Sequence, residues 1–251
     1  MITLSNLTVG YGSHRLITGA SCSLPDAALV ALIGRNGAGK SSLLRVMAGI
    51  TSAQEGGVEV DDKDVASMTV RDRARTIAFV TTQRLRVPDL QCRDVVGMGR
   101  APYTGWAGRL SATDIAVVDQ SLAAVGMAGY ASRTMDKMSD GECQRVMIAR
   151  ALAQDTHVIL LDEPTSFLDM PNRYEICTLL RDLAHQQQKT IIFSTHELDI
   201  ALDLSDRMML IDGEGLVCGT PDEIVASGDI QRLFRNSTVT FDPATRRMLP
   251  N

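Results

Sequence analysis

The sequence predicts an α/β protein with a parallel sheet flanked by helices, an N-terminal antiparallel β subdomain and an inserted helical subdomain. Three observations carry that prediction. Short apolar runs at 29–33, 77–80, 158–161 and 191–194 alternate with amphipathic helical patterns, as buried parallel strands do. The first two dozen residues instead alternate apolar and polar side chains, as half-buried antiparallel strands do. Between Val80 and Val158 the pattern is almost wholly helical, with no linker-like stretch, repeat or low-complexity run. One domain over 1–251 is therefore expected, with the helical subdomain inserted at approximately 89–153.

Taken in order, segments 2–9 and 16–24 read as two strands joined by a turn at Gly10 and Gly12. The run 29–33 is a buried strand. Glycines 34, 37 and 39 follow, and 41–47 then carries apolar residues at helical spacing with few breakers. Helices are expected near 93–98, 112–125 and 142–153. The stretch 166–171 reads as a turn before a helix over 172–184. A helix near 197–201, a hairpin of 207–212 with 215–219, and a helix over 221–226 complete the pattern. The tail 229–251 has two readings, a cap on the sheet or contacts to a second chain.

With 251 residues, 45% hydrophobic and 22% charged, the chain can bury one substantial core and lacks the bias of disordered or fibrous proteins. A net charge of −5 gives no overall basic field, which disfavours nucleic acid and anionic lipid as partners; any polyanion must be held locally. Cys22, Cys92, Cys143, Cys177 and Cys218 form no CxxC pair, so neither a zinc site nor a disulfide framework is indicated. Their odd number fits a reducing compartment, the cytosol. The apolar runs 27–33 and 158–161 fall far short of the ~20 residues of a membrane helix, and the N-terminus has no leader-like pattern, so no bilayer crossing is expected.

Gly34-Arg35-Asn36-Gly37-Ala38-Gly39-Lys40-Ser41 fits GxxxxGK[ST] in full, after a strand and before a helix. A phosphate chain needs many N–H donors in a small concavity. Glycines let the backbone curl so that its amides point inward, and the helix N-terminus adds positive potential. Lys40 would neutralise β and γ oxygens, Ser41 would ligate Mg²⁺, and the cradle extends to Ser42. The strand 158–161 ends in Asp162 and Glu163, at the strand end where ligands of such sheets gather. Asp162 is placed to hold Mg²⁺ and Glu163 to polarise an attacking water.

Met138-Ser139-Asp140-Gly141-Glu142-Cys143-Gln144-Arg145 resembles the ABC signature LSGGQ-x-QR, and residues 161–169 resemble LDEPT-x-x-LD. Together with the phosphate loop these motifs resemble the ABC ATPases, from Tyr11 to beyond His196. The resemblance implies the ABC ATPase fold, a P-loop NTPase with a RecA-like core. It also implies ATP and Mg²⁺ as ligands and a site shared between two copies. By it, Tyr11 stacks on adenine, Gln83 senses Mg²⁺ and the membrane partner, and His196 contacts the γ-phosphate, giving a catalytic set of Glu163, His196 and Gln83. Ser139, Gly141 and Glu142 would meet the ATP held by the opposite copy, while Ser166, Leu168 and Asp169 form the loop crossing between sites. His14, His157 and His185 lack such placement and read as surface or structural residues.

Two positions depart from the family pattern: Met138 replaces leucine, a benign exchange, and Asp140 stands where glycine is common. An acid there would repel a γ-phosphate unless its side chain points away. That orientation fits Ser139-x-x-Glu142 as a capping box opening the helix. Residues 93–103, ending Gly99-Arg100-Ala101-Pro102-Tyr103, resemble the iron-chelate, haem and cobalamin importers. In the family the stretch 83–108 lines a groove for a helix of the channel subunit; alternatively Trp106 only anchors a loop. The implied protein is a peripheral subunit on the cytoplasmic side of a membrane. Its implied partners are a second copy, transmembrane permease subunits and, indirectly, a substrate-binding protein, with no nucleic acid. An exporter motor, or a soluble ABC ATPase acting on nucleic acid or ribosomes, stays open as an alternative.

Overall fold

A computed structural model of the chain describes residues 1–82, 88–213, 215–235 and 238–250. The N-terminal strands β1 (Ile2–Tyr11) and β2 (His14–Leu24) form an antiparallel hairpin turning at Gly12. They are followed by β3 (Leu29–Gly34), α1 (Lys40–Met47), β4 (Glu55–Val60) and the two-residue β5 (Lys63–Asp64). Next come α2 (Val70–Thr76), β6 (Ile77–Val80), α3 (Cys92–Gly97), α4 (Ala112–Ala124) and α5 (Asp140–Ala153). The chain continues with β7 (Val158–Leu161), α6 (Met170–Gln186), β8 (Thr190–Thr195) and α7 (Leu198–Leu204). It ends with β9 (Arg207–Asp212), β10 (Gly215–Gly219), α8 (Pro221–Ala226), α9 (Asp229–Leu233), β11 (Val239–Asp242) and β12 (Arg247–Pro250).

Six strands form the central sheet in the order β10-β9-β3-β8-β7-β6, parallel except for the β9–β10 hairpin. A second sheet, β2-β1-β4-β5, is antiparallel. The two-residue period of a strand explains how one sheet carries two cores. Leu29, Ala31 and Ile33 of β3 face a cluster built with α5, α6 and α7. Val30 and Leu32 face the opposite cluster, built with β1, β2 and α1. Ile159 and Leu161 against Val158 and Leu160 divide in the same way. Continuous apolar runs are therefore required of β3, β7 and β8, since both faces are covered.

The tail folds as α9 and a β11–β12 hairpin, with Ile230, Leu233 and Phe241 buried on the α5–α7 side of the sheet. Capping thus describes its packing. Trp106 anchors nothing, because its indole is fully exposed. The packing in that loop comes from Tyr103, whose ring lies 3.9 Å from the Arg100 guanidinium and 4.8 Å from that of Arg75. Among the described residues no helix is long and apolar enough to cross a membrane.

Candidate active site

Parallel pairing fixes the site. Ile33 on β3 lies beside Thr195 on β8, and Leu161 on β7 beside Phe193, so the residues following these strands emerge along one edge. From β3 comes the glycine loop, where Gly37 (φ 80°) and Gly39 (φ 100°) occupy the left-handed region that favours residues without a Cβ. Gly39 caps α1 without a side-chain bond, leaving the first helical amides to point into the site. Lys40 is buried, and its Nζ donates to the Gly34 and Arg35 carbonyls at 3.0 and 3.4 Å. Burial pushes its ammonium below the ordinary lysine range, while the Glu163 and Asp162 carboxylates draw it back up.

From β7 come Asp162 and Glu163. The Asp162 carboxylate is almost fully buried, and its Oδ1 accepts from Ser41 Oγ at 2.9 Å and from Ser194 Oγ at 2.8 Å. Glu163 has a left-handed backbone (φ 48°), held by its N–H donating to Ser194 Oγ at 2.8 Å. Its Oε2 accepts from Ser166 Oγ at 2.9 Å, so the loop after the acids is tied to the carboxylate it follows. Ser194 bridges both acids, a role that the apolar-strand pattern of 191–194 does not reveal; the hydroxyls of Ser194 and Thr195 at the carboxyl end of a buried strand are the available signal. Thr82 adds a further tie, its Oγ1 donating to the Asp162 carbonyl at 3.0 Å.

A cavity of about 620 Å³ gathers Tyr11, Asn36, Gly37, Gly39, Lys40, Ser41, Ser42, Glu163 and His196, with Leu16 as an additional wall. Tyr11 is half-exposed at its rim, and its hydroxyl pairs with Ser42 Oγ at 2.9 Å. Gly34, Arg35 and Ala38 belong to the same loop, where the Ala38 N–H donates to the Arg35 carbonyl at 3.1 Å. Ser139, Gly141 and Glu142 do not line this cavity. Ser139 instead caps α5 through the expected capping box: its N–H donates to Glu142 Oε2 at 2.8 Å, and Glu142 N–H donates to Ser139 Oγ at 3.3 Å. These bonds to Ser139, aided by Arg133, hold the Glu142 carboxyl below its usual range. Asp140 stands in the first turn, where a carboxylate complements the helix dipole. Asp169 caps α6 through Asn172. Gln83 lies outside the described residues. His157 and His185 pair with Asp26 and Asp206, as structural residues would.

A larger cavity of about 800 Å³ lies on the other side of His196, under the β11–β12 hairpin. Its lining lacks the glycine loop and sets Glu197, Asp199 and Asp203 against Arg246 and Arg247, so the smaller cavity, with its loop amides and Lys40, is the one suited to a phosphate chain. There the donor set also fits a hard divalent cation, since the Ser41 hydroxyl and Asp162 carboxylate present oxygen ligands side by side.

The sequence matches the family model described as ABC transporter over residues 17–166. The achromobactin transport ATP-binding protein of Dickeya dadantii is 36% identical over 234 residues, covering 93% of this chain and 87% of that protein. A metal-chelate type ABC transporter solved in an inward-facing conformation superimposes with a TM-score of 0.82 at 27% identity, covering 99% of this chain and 94% of the other. A bacterial ABC transporter cassette solved as a dimer gives 0.75 at 25% identity, covering 88% and 99%. The glycine loop, the paired acids, the capped signature helix and these likenesses coincide, and the chain belongs to the ABC transporter family as one of its ATP-binding cassettes.

Proposed function

We propose that the chain is the ATP-hydrolysing motor of an importer for iron-siderophore, haem or cobalamin cargo, working as a homodimer against permease subunits on the cytoplasmic face of a membrane. The observation that carries the reading is the Ser41–Asp162–Ser194 hydrogen-bonded set beside Lys40 and Glu163 at one end of the parallel sheet. The cargo half draws support from the achromobactin transport and metal-chelate type relatives, and the import half from relatives named as petrobactin and iron(3+)-hydroxamate import ATP-binding proteins. Met98, Trp106, Leu110 and Ile115 are exposed apolar side chains in the segment 98–115, which the reading assigns to the permease contact.

In this reading the loop amides and Lys40 bind the triphosphate, and Tyr11 supports the adenine. Ser41 and Asp162 would hold Mg²⁺, a role that the family resemblance gives to Gln83 as well, and the ion would supply charge neutralisation to the triphosphate. Glu163 orients the attacking water and takes its proton, while His196 donates to the γ-phosphate. Ser139 and the Gly141 and Glu142 amides reach the nucleotide of the second copy. ATP then favours the closed pair, and loss of the γ-phosphate releases it.

Glu163→Gln keeps the shape of the side chain and removes its basicity. ATP turnover should fall by about 10²–10⁴-fold with nucleotide binding retained. Turnover at the wild-type rate would remove Glu163 from the proposed role. Affinity capture of the tagged chain from membranes tests the motor assignment: recovery with a polytopic membrane protein supports it, and recovery with nucleic acid or ribosomes overturns it.

A further inference from the structure

Cys22 and Cys218 sit on the edge strands of two different sheets, β2 of the antiparallel sheet and β10 of the central sheet. Each has a ladder partner on its inner side, Leu4 for Cys22 and Met209 for Cys218. Both side chains pack against the same apolar cluster and line one cavity of about 260 Å³. Both are half-buried, whereas Cys92, Cys143 and Cys177 are buried. Among the described residues no other thiol, imidazole or carboxylate lines that cavity, and Arg207 borders it, which leaves a soft cation too few ligands and an adverse charge.

We propose that Cys22 and Cys218 are a redox site, forming an intramolecular disulfide on exposure to a hydroperoxide and so stapling the edges of the two sheets together. The proximity of the two thiols lowers the proton affinity of Cys22 and raises that of Cys218, so Cys22 is the nucleophile and Cys218 keeps its proton. The Cys22 thiolate attacks a peroxide oxygen, breaking the O–O bond and giving Cys22 sulfenic acid and hydroxide. The Cys218 sulfur then attacks the Cys22 sulfur; the S–O bond breaks, and water leaves with the Cys218 proton. In sum two thiols and one hydrogen peroxide give one disulfide and two waters, the sulfurs losing the two electrons that the peroxide gains. The staple would join the strand pair that ends at Tyr11 to the sheet that carries the glycine loop.

The test treats the full-length chain with hydrogen peroxide and maps its peptides without reduction. A single Cys22–Cys218 crosslink, an intact mass lower by two hydrogens, and reversal by dithiothreitol are expected. Cys218→Ser should stop the reaction at a Cys22 sulfenic acid trapped by dimedone, and Cys22→Ser should abolish both products. A crosslink between two chains or involving Cys92, Cys143 or Cys177 overturns the proposal, as do two thiols left free. None of these readouts involves ATP or a permease, so the result is independent of the transport reading.

Discussion

Ser194 is the residue whose role is most informative. One hydroxyl donates to Asp162 Oδ1 and accepts from the Glu163 N–H, so it fixes the carboxylate proposed to hold Mg²⁺ and the strained backbone of the proposed base together. It need not touch substrate to matter: removing it leaves a buried carboxylate oxygen one bond short and frees Glu163 from its left-handed geometry. Ser194→Ala should lower ATP turnover or apparent Mg²⁺ affinity by about 10–100-fold, the usual size for a residue that orients a ligand. A Mg²⁺ titration of activity checks this, and Ser194→Thr, which keeps the hydroxyl, should restore part of the loss. Unchanged Mg²⁺ dependence in Ser194→Ala would reduce the bridge to packing. The first contacts of the site were legible because glycine spacing, Lys40 and paired acids after an apolar strand each have a strict chemical reason. Ser194 was not, since a hydroxyl in a strand acquires meaning only once β7 and β8 are paired in register.

At the scale of elements, the segment after α3 shows why Gly99-Arg100 stands where it does. A Cβ on Gly99 would lie 2.2 Å from the Arg150 carbonyl, so only glycine lets this turn close on α5. Arg100 then donates to the Ala153 carbonyl at 2.8 Å and pairs with Asp114 at 2.9 Å, joining α4 and α5. Bonds from Ser111, then the Arg100 guanidinium, hold the Asp114 carboxyl down to about 2. A depressed acid contributes stability that is present above its unfolded value of about 4 and is lost as pH falls toward 2. Asp114→Asn strands the buried Arg100 charge and should destabilise the fold at pH 7, with a penalty that fades between about pH 4 and 2. Urea unfolding of both proteins across that range measures it, and a penalty independent of pH would sink the account. Most elements were legible from periodicity, including α4, α5 and the β9–β10 hairpin. β4 was not, because Glu-Gly-Gly-Val-Glu-Val gains strand structure through pairing with β1 and the short β5, with Gly56 at φ 73° beside the Asn6 carbonyl. Nor was α2, a seven-residue helix with no buried side chain.

For the whole molecule, the decisive geometric fact is a separation. The signature residues Ser139, Gly141 and Glu142 lie outside the cavity that gathers Lys40, Ser41, Glu163 and His196, although all belong to one chain. If each site is completed by a second copy, a two-fold pair contains two composite sites, each built from the phosphate loop of one chain and the signature of the other. Consider Glu163→Gln and Ser139→Arg chains, each inactive alone. In a mixed dimer both defects fall in one site, while the other combines an intact Glu163 with an intact Ser139. Random mixing in equal amounts makes about half of the pairs mixed, each with one working site, so activity should return to about a quarter of wild type when sites act independently. Ser139→Arg alone should still bind ATP, since the loop that binds it is untouched, and its helix should lose only the cap, about 0.5–2 kcal/mol. An ATPase assay of the mixture, with nucleotide binding measured on each parent, checks both parts. Absence of any recovery on mixing, or loss of ATP binding in Ser139→Arg, would mean that the signature serves its own chain and that the shared site is not how this cassette closes.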